Sequence, residues 1–234
     1  MTFKVAFLAS SALTLALSLG CSSNSEEGLD PGTQVAVEDR NTNPEGVAYP
    51  TKGIGIAARA GSSRGNVIQN FKFLGYPTAP ATANPKGDLK TVALADYYDP
   101  TSIHHKLIHL VVSAVWCTPC NQETVAIVAA NPALAAEGVV VLQGLSDGPS
   151  TSKGATKLDL DSWIDDHKTN FTQFLDPRVT QLGAFFPAAA VPWNAYVDPR
   201  TMEILYSNVG QVEPKKTADK YLKWVNENPP STFE

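Results

Sequence analysis

Apolar positions run without a break over residues 107–115, Leu-Ile-His-Leu-Val-Val-Ser-Ala-Val apart from His109 and Ser113. That length, rich in β-branched side chains, predicts a strand buried on both faces. The pattern then turns helical over residues 119–130, with Val125, Val128 and Ala129 on one stripe. Pro132 is expected to break that helix, with Asn131 and Pro132 opening a short restart that Gly138 closes. Residues 139–145 read as a second buried strand, ended by Ser146-Asp147-Gly148-Pro149. Leu160, Trp163, Ile164 and His167 keep helical spacing, with Asp159 as the expected N-cap. Residues 171–175 form the next strand, and the Asp176-Pro177 turn leads into a short helix over 179–185. Two strands flank the turn Asp198-Pro199-Arg200-Thr201, and a last helix starts at Pro214 and buries Ala218, Tyr221, Leu222 and Val225.

Upstream, residues 66–76 alternate enough for a strand, residues 89–94 give a second, and 95–100 a brief helical turn. The order β-(α)-β-α-β-α followed by β-β-α predicts an α/β fold, a mixed central sheet with helices on both faces and an added N-terminal β-hairpin. The folded domain is expected over residues 63–234. Residues 22–62 are polar and rich in Asn, Ser, Glu, Gly and Pro, which is the composition of a flexible linker. Residues 1–21 read as an export signal, with Lys4 before an apolar run that stops at Gly20-Cys21. That run is short for a membrane span.

The chain has 234 residues, 43% hydrophobic and 18% charged, ample for a core without disulfide staples. A formal charge of −5 with no basic cluster argues against nucleic acid as a partner. Three cysteines cannot make a disulfide framework. One, Cys21, follows the export signal, and Cys117 and Cys120 form Trp-Cys-Thr-Pro-Cys at the strand-to-helix junction.

A Cys-x-x-Cys at such a junction is a redox arrangement with a physical basis. Cys117 falls where the free N–H groups and dipole of the new helix favour a thiolate. Cys120, one turn on, is within reach to close a disulfide, and Pro119 fits the first turn, where a missing N–H costs nothing. Zinc needs about four ligands and no second Cys-x-x-Cys exists. Covalent haem needs His after the second cysteine, where Asn121 stands. His104, His105 and His109 raise a copper reading, with surface or core histidines as the plainer alternative. No cofactor and no metal is expected.

Trp-Cys-x-Pro-Cys after an apolar strand resembles thioredoxin, and its surroundings resemble the membrane-anchored TlpA/ResA branch of that superfamily. The resemblance spans about residues 63–234. It implies a thioredoxin fold, with Cys117 as nucleophile and Cys120 resolving the mixed disulfide. It also implies a cis bond at Val191-Pro192, where the Val191 backbone pairs with an extended substrate, and a Trp116 that borders and shields the disulfide. The buried acid of thioredoxin aligns with Val111, which cannot titrate. The branch instead has a glutamate three residues after the second cysteine, here Glu123, one helical turn from Cys120. Burial would suit it to accept the Cys120 proton. A solvated first-turn glutamate is the alternative.

Leu17-Ser18-Leu19-Gly20-Cys21 resembles a bacterial lipobox with Leu shifted by one place, so Cys21 is the expected lipidation site and an ordinary cut after Ser18 the rival. Ser22 after a lipidated Cys21 points to the outer membrane. These features imply an exported, lipid-anchored thiol–disulfide oxidoreductase on the periplasmic side or cell surface. Its expected partners are exported proteins bearing disulfides and a membrane electron donor. Two other readings remain. One is a thiol peroxidase of the same fold, which expects a Pro-x-x-x-Thr-x-x-Cys lead-in absent before Cys117. The other is a metal chaperone or binding module.

Overall fold

The computed structural model describes residues 36–78 and 86–233. The export signal, Cys21 and residues 79–85 lie outside the described residues. Strand β3 (Leu107–Ala114) is buried at every position. It pairs in parallel with β4 (Val139–Asp147) and antiparallel with β6 (Trp193–Asp198). Around this centre lie β1 (Lys72–Tyr76), β2 (Lys90–Ala93), β5 (Thr172–Leu175) and β7 (Glu203–Val209). The seven-stranded mixed sheet has the order β2-β1-β5-β4-β3-β6-β7, and the antiparallel β1–β2 pair is the expected added hairpin.

Helix α1 (Thr118–Ala136) connects β3 to β4, and α2 (Lys157–His167) connects β4 to β5. Both join parallel neighbours stepping the same way across the sheet, so right-handed crossovers put them on one face. Helix α3 (Pro214–Glu227) joins them there, burying Ala218, Leu222 and Val225 with Ile127 and Leu134 against Leu107, Val111, Tyr196 and Leu205. Tyr221 is only partly buried at that seam. The opposite face presents Ile108, Leu110, Val112, Leu142 and Phe174. Short 3-10 turns at Leu94–Tyr97, Pro177–Val179 and Leu182–Ala184 help to cover it, together with residues from the 49–68 segment. Helices thus lie on both faces, but the three α-helices share one.

Four local differences from expectation have physical causes. Helix α1 runs through Pro132 without a break. Pro132 offers no N–H to the Val128 carbonyl four residues back, and Asn170 Nδ2 approaches that carbonyl at 3.4 Å instead. Asn131 Nδ2 donates in return to Asn170 O at 3.0 Å. The N-cap of α2 is Thr156, with Asp159 at the third helical position completing a capping box. The helix expected at 179–185 is two 3-10 turns, because the buried Asp176 carboxylate accepts from Gln181 N, Leu182 N and Thr180 Oγ1. Strand β1 begins only at Lys72; upstream, Val67 bridges to Ile54 and Glu203, while Ile68 N donates to Met202 O.

The expected linker is corrected over its described part. Residues 36–62 pack onto the domain: Glu38 N donates to Thr91 Oγ1, and Arg40 pairs with Asp96. Tyr49 is buried in the core, its hydroxyl donating to Ile68 O at 2.7 Å. Arg59 pairs with the fully buried Glu203 and lies over the Trp224 ring. Composition misleads here because a few anchors, Tyr49 above all, hold a polar segment by tertiary contact. Tyr49→Ala should therefore destabilise the domain by about 3–5 kcal/mol in urea denaturation. No change would return this segment to a linker.

Candidate active site

Strand β3 ends at Ala114, and the chain turns through Val115 and Trp116 into α1. Val115 N donates to Asp147 O at 3.0 Å and Cys117 N to Ala114 O at 3.1 Å, which hold the turn against the end of β4. Asn121 tightens it from the first turn of α1, its Nδ2 donating to Cys117 O at 2.8 Å and Val115 O at 3.3 Å. Its Oδ1 therefore faces His167 Nε2 at 3.0 Å, while His167 Nδ1 lies 3.0 Å from Trp163 O. The end of α2 is thus tied to the turn that carries the cysteines.

Cys117 is the N-cap of α1, and its Sγ accepts from Cys120 N at 3.1 Å. The two cysteines are joined in a disulfide, with Cα atoms 5.2 Å apart. Cys120 is fully buried among Ala114, Leu145, Leu160 and Trp163, whereas Cys117 keeps 2% exposure. The Val191-Pro192 peptide is cis, and Val191 O lies 3.5 Å from Cys117 Sγ. Trp116 packs half-buried against the same cluster, its indole N–H buried without a partner among the described residues. The structure thus brings Trp116, Cys117, Cys120, Val191 and Pro192 together.

Glu123 is buried rather than solvated. Its Oε1 accepts from Val212 N at 2.7 Å and Asn194 Nδ2 at 3.0 Å, and its Oε2 is buried with no partner among the described residues. Burial pushes its proton affinity up to about pH 7, against the lowering pull of the Val212 and Asn194 donors. No hydrogen bond joins it to either cysteine among the described residues. Asn194 also donates to Gly210 O at 3.0 Å and accepts at Oδ1 from His109 Nε2 at 2.8 Å. Burial brings the fully buried His109 down to about 4, so it is neutral at physiological pH.

The histidines do not converge. His104 pairs with Glu45 at the surface, His105 lies against Tyr97, and His109 is spent on Asn194. Among the described residues no group of three or more His, Cys, Asp or Glu side chains is placed to hold a metal. Sequence reasoning missed Asn121, His167 and Asn194 as parts of the site. The one available signal was an Asn in an otherwise apolar strand two residues after Pro192.

The AhpC/TSA family model matches residues 77–195, just over half of the chain, with both motif cysteines and the cis proline inside the match. The chain belongs to the AhpC/TSA family. It is an oxidoreductase of that redoxin family. Among solved structures, the chain is similar to a secreted thiol-disulfide isomerase from Corynebacterium glutamicum. The TM-score is 0.53 at 16% identity, covering 73% of this chain and 91% of that one. AhpC from Enterococcus faecalis aligns with a TM-score of 0.52 at 12% identity, covering 73% and 98%. At such identities the likeness speaks to the fold, which is thioredoxin-like. No curated protein matches the chain.

Glu123 gives this family member a pH-dependent stability. Its folded midpoint, about 7, lies above its ordinary 4.5, so its contribution is whole below pH 4.5 and is lost as pH rises through 7. Glu123→Gln keeps an acceptor for Val212 and Asn194 and carries no charge. It should match wild type at pH 4 and exceed it at pH 8, by at most about 3 kcal/mol, in urea denaturation.

Proposed function

We propose that the protein is a thiol–disulfide oxidoreductase of the TlpA/ResA kind that reduces disulfides in exported proteins. The observation that carries this reading is the Cys117–Cys120 disulfide at the start of α1, with Cys117 Sγ beside Val191 O of the cis-proline loop. In the reduced protein the Cys117 thiolate, favoured by the helix N-terminus, attacks one sulfur of a partner disulfide and expels the other. An extended partner segment pairs with the Val191 backbone, and Trp116 borders the site. Cys120 gives its proton to Glu123 and attacks Cys117 Sγ, which restores the internal disulfide and releases the reduced partner. A membrane electron donor then reduces the pair again.

In this reading residues 1–21 direct export and Cys21 carries the lipid that holds the domain at a membrane surface, the outer membrane being favoured. No helix among the described residues is long and apolar enough to cross a membrane. Cytochrome c precursors awaiting haem are one class of partner.

A thiol peroxidase is the second reading, favoured by the family match and by the likeness to an AhpC. Against it, Ala114 and Leu110 occupy the positions where the Pro-x-x-x-Thr-x-x-Cys lead-in puts its Thr and Pro. Both belong to buried β3 and offer no hydroxyl to a peroxide.

Equilibration with glutathione or dithiothreitol buffers should give a reversible Cys117–Cys120 couple near the thioredoxin value of about −270 mV rather than the about −120 mV of a strong oxidant. Cys120→Ser should accumulate the mixed disulfide with a partner, and Cys117→Ser should abolish exchange. A potential at the oxidising end would make the protein a disulfide donor. Rapid peroxide consumption by the reduced protein would move the peroxidase reading to first place.

A further inference from the structure

Three buried side chains from three elements meet behind the dithiol: His109 on β3, Asn194 on β6 and Glu123 on α1. Their hydrogen bonds permit one orientation. The Asn194 amide nitrogen faces Glu123 Oε1 and Gly210 O, both of which only accept, so its Oδ1 must be the atom that faces His109. His109 Nε2 therefore carries the imidazole proton, and Nδ1, buried without a partner, is bare. Were Asn194 to turn over, its oxygen would confront two acceptors. Tyr196 stacks on the imidazole at 4.4 Å and 7°, which holds the ring in plane with this arrangement.

We infer that Asn194 and His109 are positioning residues for Glu123, fixing its carboxylate so that Oε1 is held and Oε2 is left as the proton-accepting atom. This rests on the reading of Glu123 as the acceptor of the Cys120 proton. In that step the Cys120 S–H bond breaks and an O–H bond forms at Oε2. The Cys120 thiolate then forms the S–S bond to Cys117, and the partner's sulfur leaves with the electron pair of the broken mixed disulfide. The partner is reduced by two electrons and the dithiol is oxidised by two.

The chain of three has a single titrating member near neutrality. Among the described residues the ionisable groups that feel Glu123 are Tyr196 of β6 and Tyr206 of β7; Tyr221 of α3 stacks on Tyr196, His109 reaches Glu123 through Asn194, and Cys120 stands one turn back on α1. Burial raises all three phenols, so they stay neutral as Glu123 titrates. The Asn194 donor is then the side-chain contact that favours the carboxylate over the acid, and His109 acts only through Asn194.

The test is an infrared pH titration of the Glu123 carboxyl in the oxidised protein, its band assigned by loss in Glu123→Gln. Asn194→Leu should raise the midpoint by about one pH unit, the worth of one hydrogen bond to a charged group. His109→Phe, which keeps the stack but not the donor, should move it the same way by less. His109→Gln, whose side-chain N–H falls near Nε2, should restore the wild-type midpoint. The pH profile of disulfide exchange should follow the same shifts. A midpoint unmoved in folded Asn194→Leu and His109→Phe overturns the inference while leaving Glu123 its role. An exchange profile indifferent to Glu123→Gln overturns that role, and the inference with it. Should the variants fail to fold, ¹⁵N spectra of the imidazoles in wild type decide the matter. A proton on His109 Nε2 supports the arrangement, and a proton on Nδ1 overturns it.

Discussion

Burial of β3 on both faces, with a neighbour on each edge, is the constraint on which the rest depends. A strand so enclosed cannot shift register without moving its whole set of side chains to the wrong face. Its C-terminal end is accordingly a fixed point, and Cys117 lies three residues beyond it at the mouth of α1. The same enclosure means that each polar group on β3 must find its partner inside. Ser113 Oγ accepts from Gln143 Nε2, and His109 donates to Asn194. The polar interior of this domain is thereby concentrated around the strand that delivers the cysteines.

That interior is built mostly from neutral carboxamides. Asn121 ties the cysteine turn to the end of α2. Gln143 donates to Ser113 and Thr124 and accepts from Trp163 and Gln173, so α1, α2 and β5 meet on one side chain. Asn194 joins β3, β6 and α1. An amide offers donors and acceptors in a fixed plane without the desolvation cost of an ion. Glu123 is a carboxylate buried one turn from Cys120 with no ion-pair partner among the described residues, and a buried acid of this kind has its proton affinity moved toward neutrality. Charged pairs lie elsewhere, as with Arg59 and Glu203 under the N-terminal segment.

The family match covers the part of the chain that carries this chemistry, from just after β1 to the middle of β6. Its name spans peroxidases as well as disulfide exchangers, and the two differ by what stands before the first cysteine and whether a second follows one turn later. Here Cys120 follows, and the polar side chains of the strand before the motif are His109, engaged by Asn194, and Ser113, whose hydroxyl is engaged by Gln143. In the proposed reading the chemistry centres on closing and opening the Cys117–Cys120 disulfide.

Local pattern in the sequence determined the strands around the cysteines, the hairpin at 193–209, the helices at 118 and 214 and the dithiol itself. Apolar runs, turn residues and a four-residue motif act over distances of a few residues, where the chain alone sets the geometry. Glu123 was singled out by the resemblance to the TlpA/ResA branch, its place one helical turn from Cys120 agreeing with it. Only the tertiary structure decided what Glu123 touches, since Asn194 lies 71 residues from Glu123 and 85 from His109. Only folding decided that Pro132 could stay inside α1, because the partner for the Val128 carbonyl comes from Asn170, 42 residues on. The packing of residues 36–62 was hidden for the same reason. A polar segment is a linker or a cover according to whether a distant surface offers Tyr49 a place, and no local pattern records that surface.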